Sequence, residues 1–112
     1  MKLYPLLMAP YFRHGAQTPW GGDTLRDMLM KPAPEQAGES LEVSALEGME
    51  SVVRNGAHAG QSLRRIFEQW GAALTGTEDP VFPLMLKFLD ARDSLSLQVH
   101  PDDACAAREG KL

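Results

Sequence analysis

Asp93-Ser94-Leu95-Ser96-Leu97-Gln98-Val99-His100-Pro101-Asp102-Asp103 alternates apolar and polar residues strictly until Pro101 interrupts it. A period of two predicts a β-strand, with side chains of one parity on a common face about 7 Å apart. Leu95, Leu97 and Val99 are expected to point into a core, and Ser96, Gln98 and His100 to share the opposite face. A wholly polar face is costly if dry and unpaired, so it must meet solvent, a hydrogen-bond network or a metal-containing cavity.

Outward from this stretch, strands outnumber helices. Phe82–Ala91 has strand composition with apolar residues on both faces, as in a strand buried on both sides. Glu39–Ala45 alternates, with Leu41, Val43 and Ala45 on one face and Ser40, Glu42 and Ser44 on the other, which predicts a half-buried strand. Ser51–Arg54 reads as a short strand before the Asn55-Gly56 turn. Residues 1–19 carry Pro5, Pro10 and Pro19 and suit an extended arm or edge strand.

Two helices are predicted. Leu63, Ile66, Phe67 and Trp70 fall at i, i+3, i+4 and i+7 after Ser62 and end at Gly71, making one apolar helical face with Phe67 and Trp70 as core residues. Thr24 is the candidate cap of an earlier helix through Leu25, Met28 and Leu29, stopped by Pro32 and Pro34. The segment 75–80 reads as a loop. The expectation is a single domain over residues 1–112, mainly β with a few helices.

Composition narrows the function classes. With 11 basic and 15 acidic residues the net charge is −4, and Arg64-Arg65 is the longest basic run, so nucleic acid is not an expected partner. No stretch approaches the roughly 18 uninterrupted apolar residues of a membrane span. The lone Cys105 cannot form an internal disulfide, and Met1–Pro5 lacks the apolar core of a signal peptide, which fits a cytoplasmic protein.

Gln98 and His100, two positions apart on one strand face, can offer an amide oxygen and an imidazole nitrogen to a single zinc ion. Two ligands do not complete a site. The other histidines, His14 and His58, have no paired spacing and read as surface or capping residues.

Gln98-Val99-His100-Pro101-Asp102 resembles the metal-binding strand of type I phosphomannose isomerases. Trp20-Gly21-Gly22, Gly38-Glu39-Ser40-Leu41-Glu42-Val43-Ser44 and Phe82–Ala91 match that family in the same order and spacing. The chain departs from it at Leu41, where an aromatic residue is frequent. The resemblance implies a zinc-dependent cupin, a partial jelly-roll barrel that interconverts mannose 6-phosphate and fructose 6-phosphate. It makes Gln98 and His100 metal ligands of one zinc ion, puts Ser96 near the substrate, assigns Lys111 to substrate handling or proton transfer, and makes Trp20 and Glu42 line or support the pocket.

The family pattern also places a glutamate ligand just after Leu112 and a histidine ligand much farther on. These residues are therefore expected to be an amino-terminal fragment, inactive alone, that exposes an apolar strand edge open to self-association. The alternative is a non-catalytic truncated cupin that acts as a binding or oligomerising module.

Overall fold

The computed structural model describes residues 2–110. In chain order the elements are β1 (Met8–Ala9), β2 (Tyr11–His14), α1 (Thr24–Asp27), β3 (Ala37–Val43), β4 (Val52–Val53), α2 (Leu63–Trp70), α3 (Ala72–Thr75), β5 (Leu86–Leu89) and α4 (Asp103–Arg108). Single 3₁₀ turns occupy Gly15–Gln17 and Gly56–His58.

β3 is the middle strand of a three-stranded antiparallel sheet, flanked by β2 and β5. Its register sets Arg13 and Leu89 opposite Glu39, and Lys87 opposite Leu41. β1 and β4 form a separate two-stranded ribbon. Helix α2 packs on that ribbon, where Val53, Ile66 and Trp70 form a core with Tyr4, Leu6, Met8 and Leu74 around it.

Ser62 caps α2 by accepting a hydrogen bond from the Arg65 amide, and Gly71 ends it with a positive φ of 48°. The predicted helix and its terminator hold. So does the extended arm: Tyr4 Oη donates to the Asn55 carbonyl, while the Asn55 side chain accepts from Leu7 N and donates to the Pro5 carbonyl.

Four expectations need correction. Residues 94–100 are not a strand: they run outside any β-ladder among the described residues, and Leu95, Leu97 and Val99 are exposed. The alternation records a strand pattern, but a strand also needs a partner for its backbone groups, and none of the described residues supplies one. Phe82–Ala91 is not buried on both sides either. Leu86–Leu89 pairs with β3 on one edge and Ala91 bridges Gly21, and the side chains of Leu86–Leu89 stay exposed because no layer among the described residues covers them.

β3 is more buried than predicted, with Ser40 and Ser44 fully enclosed. Their hydroxyls are satisfied internally, Ser40 Oγ by the Glu42 carboxylate at 2.6 Å and Ser44 Oγ by accepting from Leu46 N at 3.2 Å. Finally, Asp23, not Thr24, sits at the cap position of α1, and the helix is one turn long, with Met28 and Leu29 outside it and exposed. Thr24 N instead donates to Asp90 Oδ2 at 2.7 Å. That bond locks the Trp20-Gly21-Gly22 turn against the end of β5.

Candidate functional site

The sheet face that carries Arg13, Glu39 and Lys87 floors an open groove of about 980 Å³. Gln17, Pro19 and Trp20 line it, and Trp20 is joined through its carbonyl to Arg92 N and Asp93 N at the start of the irregular stretch after β5. That stretch adds Ser94, Leu95, Ser96, Gln98 and His100 to the lining.

Ser96, Gln98 and His100 are thus brought to one concavity, although the backbone that carries them is not a strand and Leu95, expected on the other face, lines it too. Gln98 Nε2 donates to Ser96 Oγ at 3.3 Å, which places these two side chains on the same side. Leu97 and Val99 project away from the groove into the open. Among the described residues no cluster of three or more His, Cys, Asp or Glu side chains is placed to hold a metal ion.

Trp20 is half-buried on the groove wall. Its ring lies against Gly38, where an added Cβ would come within 2.7 Å of Thr18 Cβ and of the ring, so only glycine lets β3 approach this closely. Thr18 completes the corner: it is fully buried and accepts from Gly38 N at 3.1 Å.

Glu42 has the other parity in β3 and does not line the groove. Its carboxylate accepts from Lys31 Nζ at 2.7 Å and from Ser40, while Lys31 also covers the Phe88 ring at 5.2 Å. Lys111 lies outside the described residues. His14 sits at the cap position of the 3₁₀ turn, and His58 packs between Tyr4 and Trp70, so neither adds a donor to the groove.

Sequence reading missed the ionic floor of the groove. Glu39 is 5% exposed, yet it accepts from Arg13 Nη1 at 2.8 Å and from Lys87 Nζ at 2.9 Å. Burial pushes its carboxyl up, but the hydrogen bonds and charges of Lys87 and Arg13 outweigh that and hold it below the ordinary range. A signal was present. Glu39 has the parity of the apolar residues Leu41 and Val43, and Lys87 interrupts an otherwise apolar strand. A charge on an apolar face calls for a partner of opposite sign.

This mainly β unit with a few helices matches one family of enzymes over nearly its whole length. Residues 13–110 match the catalytic domain of type I phosphomannose isomerase, and the chain belongs to that family. The crystal structure of the mannose 6-phosphate isomerase from Bacillus subtilis superposes with a TM-score of 0.82 at 34% identity, over 96% of this chain and 34% of that one. A putative mannose-6-phosphate isomerase of Bacillus subtilis is 36% identical over 100% of this chain and 35% of its own length. The mannose-6-phosphate isomerase of Streptococcus mutans is 41% identical over 83% of this chain and 30% of its own. The chain spans about a third of the length of the relatives it matches.

Proposed function

We propose that these residues form the amino-terminal portion, as one domain, of a zinc-dependent mannose-6-phosphate isomerase of the cupin type, which acts on a sugar phosphate in the cytoplasm. The observation that carries the reading is the convergence of Ser96, Gln98 and His100 on the groove floored by Glu39.

The residues present fit zinc in kind. An amide oxygen and an imidazole nitrogen are donors that zinc accepts, and they occupy neighbouring positions of one parity. They fall short in number, since a zinc site takes three or four protein donors, so the family's glutamate and histidine would complete it. When bound, zinc would stabilise the negative charge that develops on the sugar oxygens during proton transfer between adjacent carbons.

The chain's own side chains have separate tasks. Gln98 and His100 hold the ion. Ser96 offers a hydroxyl to the substrate beside them, and Trp20 lines the groove with an apolar ring. Glu42 acts from behind the sheet, where it fixes Lys31. Lys111 handles the substrate or moves the proton. The exposed edge of β5, with Leu86, Phe88 and Leu89 uncovered, favours a second reading for the chain on its own, as a self-associating module.

A chimera tests the isomerase reading. This chain replaces the matching third of the Streptococcus mutans relative, and conversion of mannose 6-phosphate is followed. Turnover that is lost with chelator and with His100→Ala is the expected result. The 112-residue chain alone is expected to bind zinc weakly and to turn over nothing. Tight one-to-one zinc binding by the isolated chain that survives His100→Ala would overturn the assignment.

A further inference from the structure

Arg13, Glu39 and Lys87 come from three different strands, β2, β3 and β5, yet meet on one sheet face. Glu39 divides its two oxygens between the cations: Oε2 takes Arg13 and Oε1 takes Lys87. The Glu39 side chain is 7% exposed, whereas those of Arg13 and Lys87 are 33% and 36% exposed. The carboxylate is therefore the enclosed member, and each cation keeps one side toward the groove.

The two cations are held differently. Arg13 is held at two points, Nη1 on Glu39 and Nη2 on the Gln17 carbonyl at 3.4 Å, while its buried Nε has no partner among the described residues. Lys87 ends a flexible four-carbon stem, and its one polar bond among the described residues is to Glu39. That bond uses one of the ammonium's three donors. The remaining donors are available to an oxygen atom in the groove.

We propose that Arg13 is a positioning residue, which through Glu39 holds the Lys87 ammonium at a fixed point on the wall of the groove that Ser96, Gln98 and His100 line. Arg13 orients the carboxylate by gripping Oε2, and so sets where Oε1 can receive Lys87. Without Arg13 the enclosed carboxylate has one partner instead of two and is free to turn. The Lys87 ammonium then loses its fixed place beside a bound sugar phosphate. The inference rests on the isomerase reading, since it needs a substrate in that groove.

The test uses the same chimera with Arg13→Gln and Arg13→Lys. A shift of about 1 Å in a positioned group can cost on the order of a hundredfold, so Arg13→Gln is expected to lower kcat/KM by roughly tenfold to a hundredfold. Arg13→Lys, which keeps a cation for Oε2, is expected to restore most of it.

The acid limb of the kcat/KM profile should move to higher pH in Arg13→Gln, because Glu39 loses one of the charges that keep its carboxyl low. Asp93 and His100 also line the groove, so the 13C resonance of the Glu39 carboxylate in the 112-residue chain assigns the shift to Glu39. An Arg13→Gln chimera whose kcat/KM and acid limb match the parent, or a Glu39 carboxyl that titrates unchanged, overturns the positioning role. A chimera inactive even with Arg13 intact would instead sink the isomerase reading, and the Glu39 titration would still decide the Arg13–Glu39 link.

Discussion

Helix α2 and the stretch 94–100 are equally regular in sequence and meet opposite fates. In α2 the apolar set is covered, with Leu63, Ile66 and Trp70 at 3%, 0% and 6% exposure. In the alternating stretch, Leu95, Leu97 and Val99 are 42%, 100% and 89% exposed. The difference lies in where each partner sits in the chain. The apolar face of α2 is met by Val53, Met8 and Leu6, all among the described residues. The stretch that follows β5 meets no facing layer among the described residues. A periodic pattern states a demand for burial, and only the rest of the fold can satisfy it.

This contrast can be broken by mutation, and the largest effect is expected on the covered side. Ile66→Ala removes a fully buried side chain from the α2 core and is expected to cost about 2–5 kcal/mol in urea unfolding. A loss below about 1 kcal/mol would show that the α2 core is not closed as described.

Next comes Glu39→Gln, which strips the charge from a carboxylate that serves two cations. We expect a loss of about 1–3 kcal/mol at pH 7, toward the lower end because Arg13 and Lys87 keep about a third of their surface in water. The loss should depend on pH in one direction. The folded carboxyl lies below its ordinary value of 4.5, so its contribution is complete above that value and fades as pH falls through the lower folded value. Urea curves of both proteins from pH 7 to pH 3 should therefore converge at the acid end. A gap that is constant with pH would contradict the ion-pair account.

Ser62→Ala tests the helix start alone. Loss of the bond from the Arg65 amide should cost about 1 kcal/mol. Smallest of all is Leu97→Ser, expected to change stability by no more than about 0.5 kcal/mol because the side chain is fully exposed. The same substitution sharpens the comparison when sedimentation is followed at rising concentration. If the uncovered apolar surface around β5 drives association, a charge placed in its edge by Leu86→Lys should weaken that association, and Leu97→Ser should do so less.

Much of the fold was legible where its causes are local. The i, i+3, i+4, i+7 face of α2, the stop at Gly71 and the Asn55-Gly56 turn each depend on residues within a turn or two. The placement of Ser96, Gln98 and His100 on one concavity was also legible, because alternation of an extended backbone is local too. What escaped depends on distant partners. Nothing near Glu39 in sequence shows that Arg13 and Lys87 reach it from β2 and β5, and nothing near Thr24 shows that Asp90 takes its amide. Lys111 and the roles given to Gln98 and His100 rest on resemblance, and the chimera is the place to test them.

The clamp around Asn55 also sets a timetable for synthesis. Tyr4 and Asn55 stand 51 positions apart, and the arm's partners begin only with β4, where Val52 and Val53 pair with β1 and Asn55 and His58 receive Tyr4. At about 5–20 residues per second, a ribosome takes roughly 3–10 s to make that length of chain. Through that interval Leu6, Leu7 and Met8 wait in water with nothing to lean on. Leu6 and Met8 gain their full cover only later still, when Ile66 and Trp70 of α2 have followed.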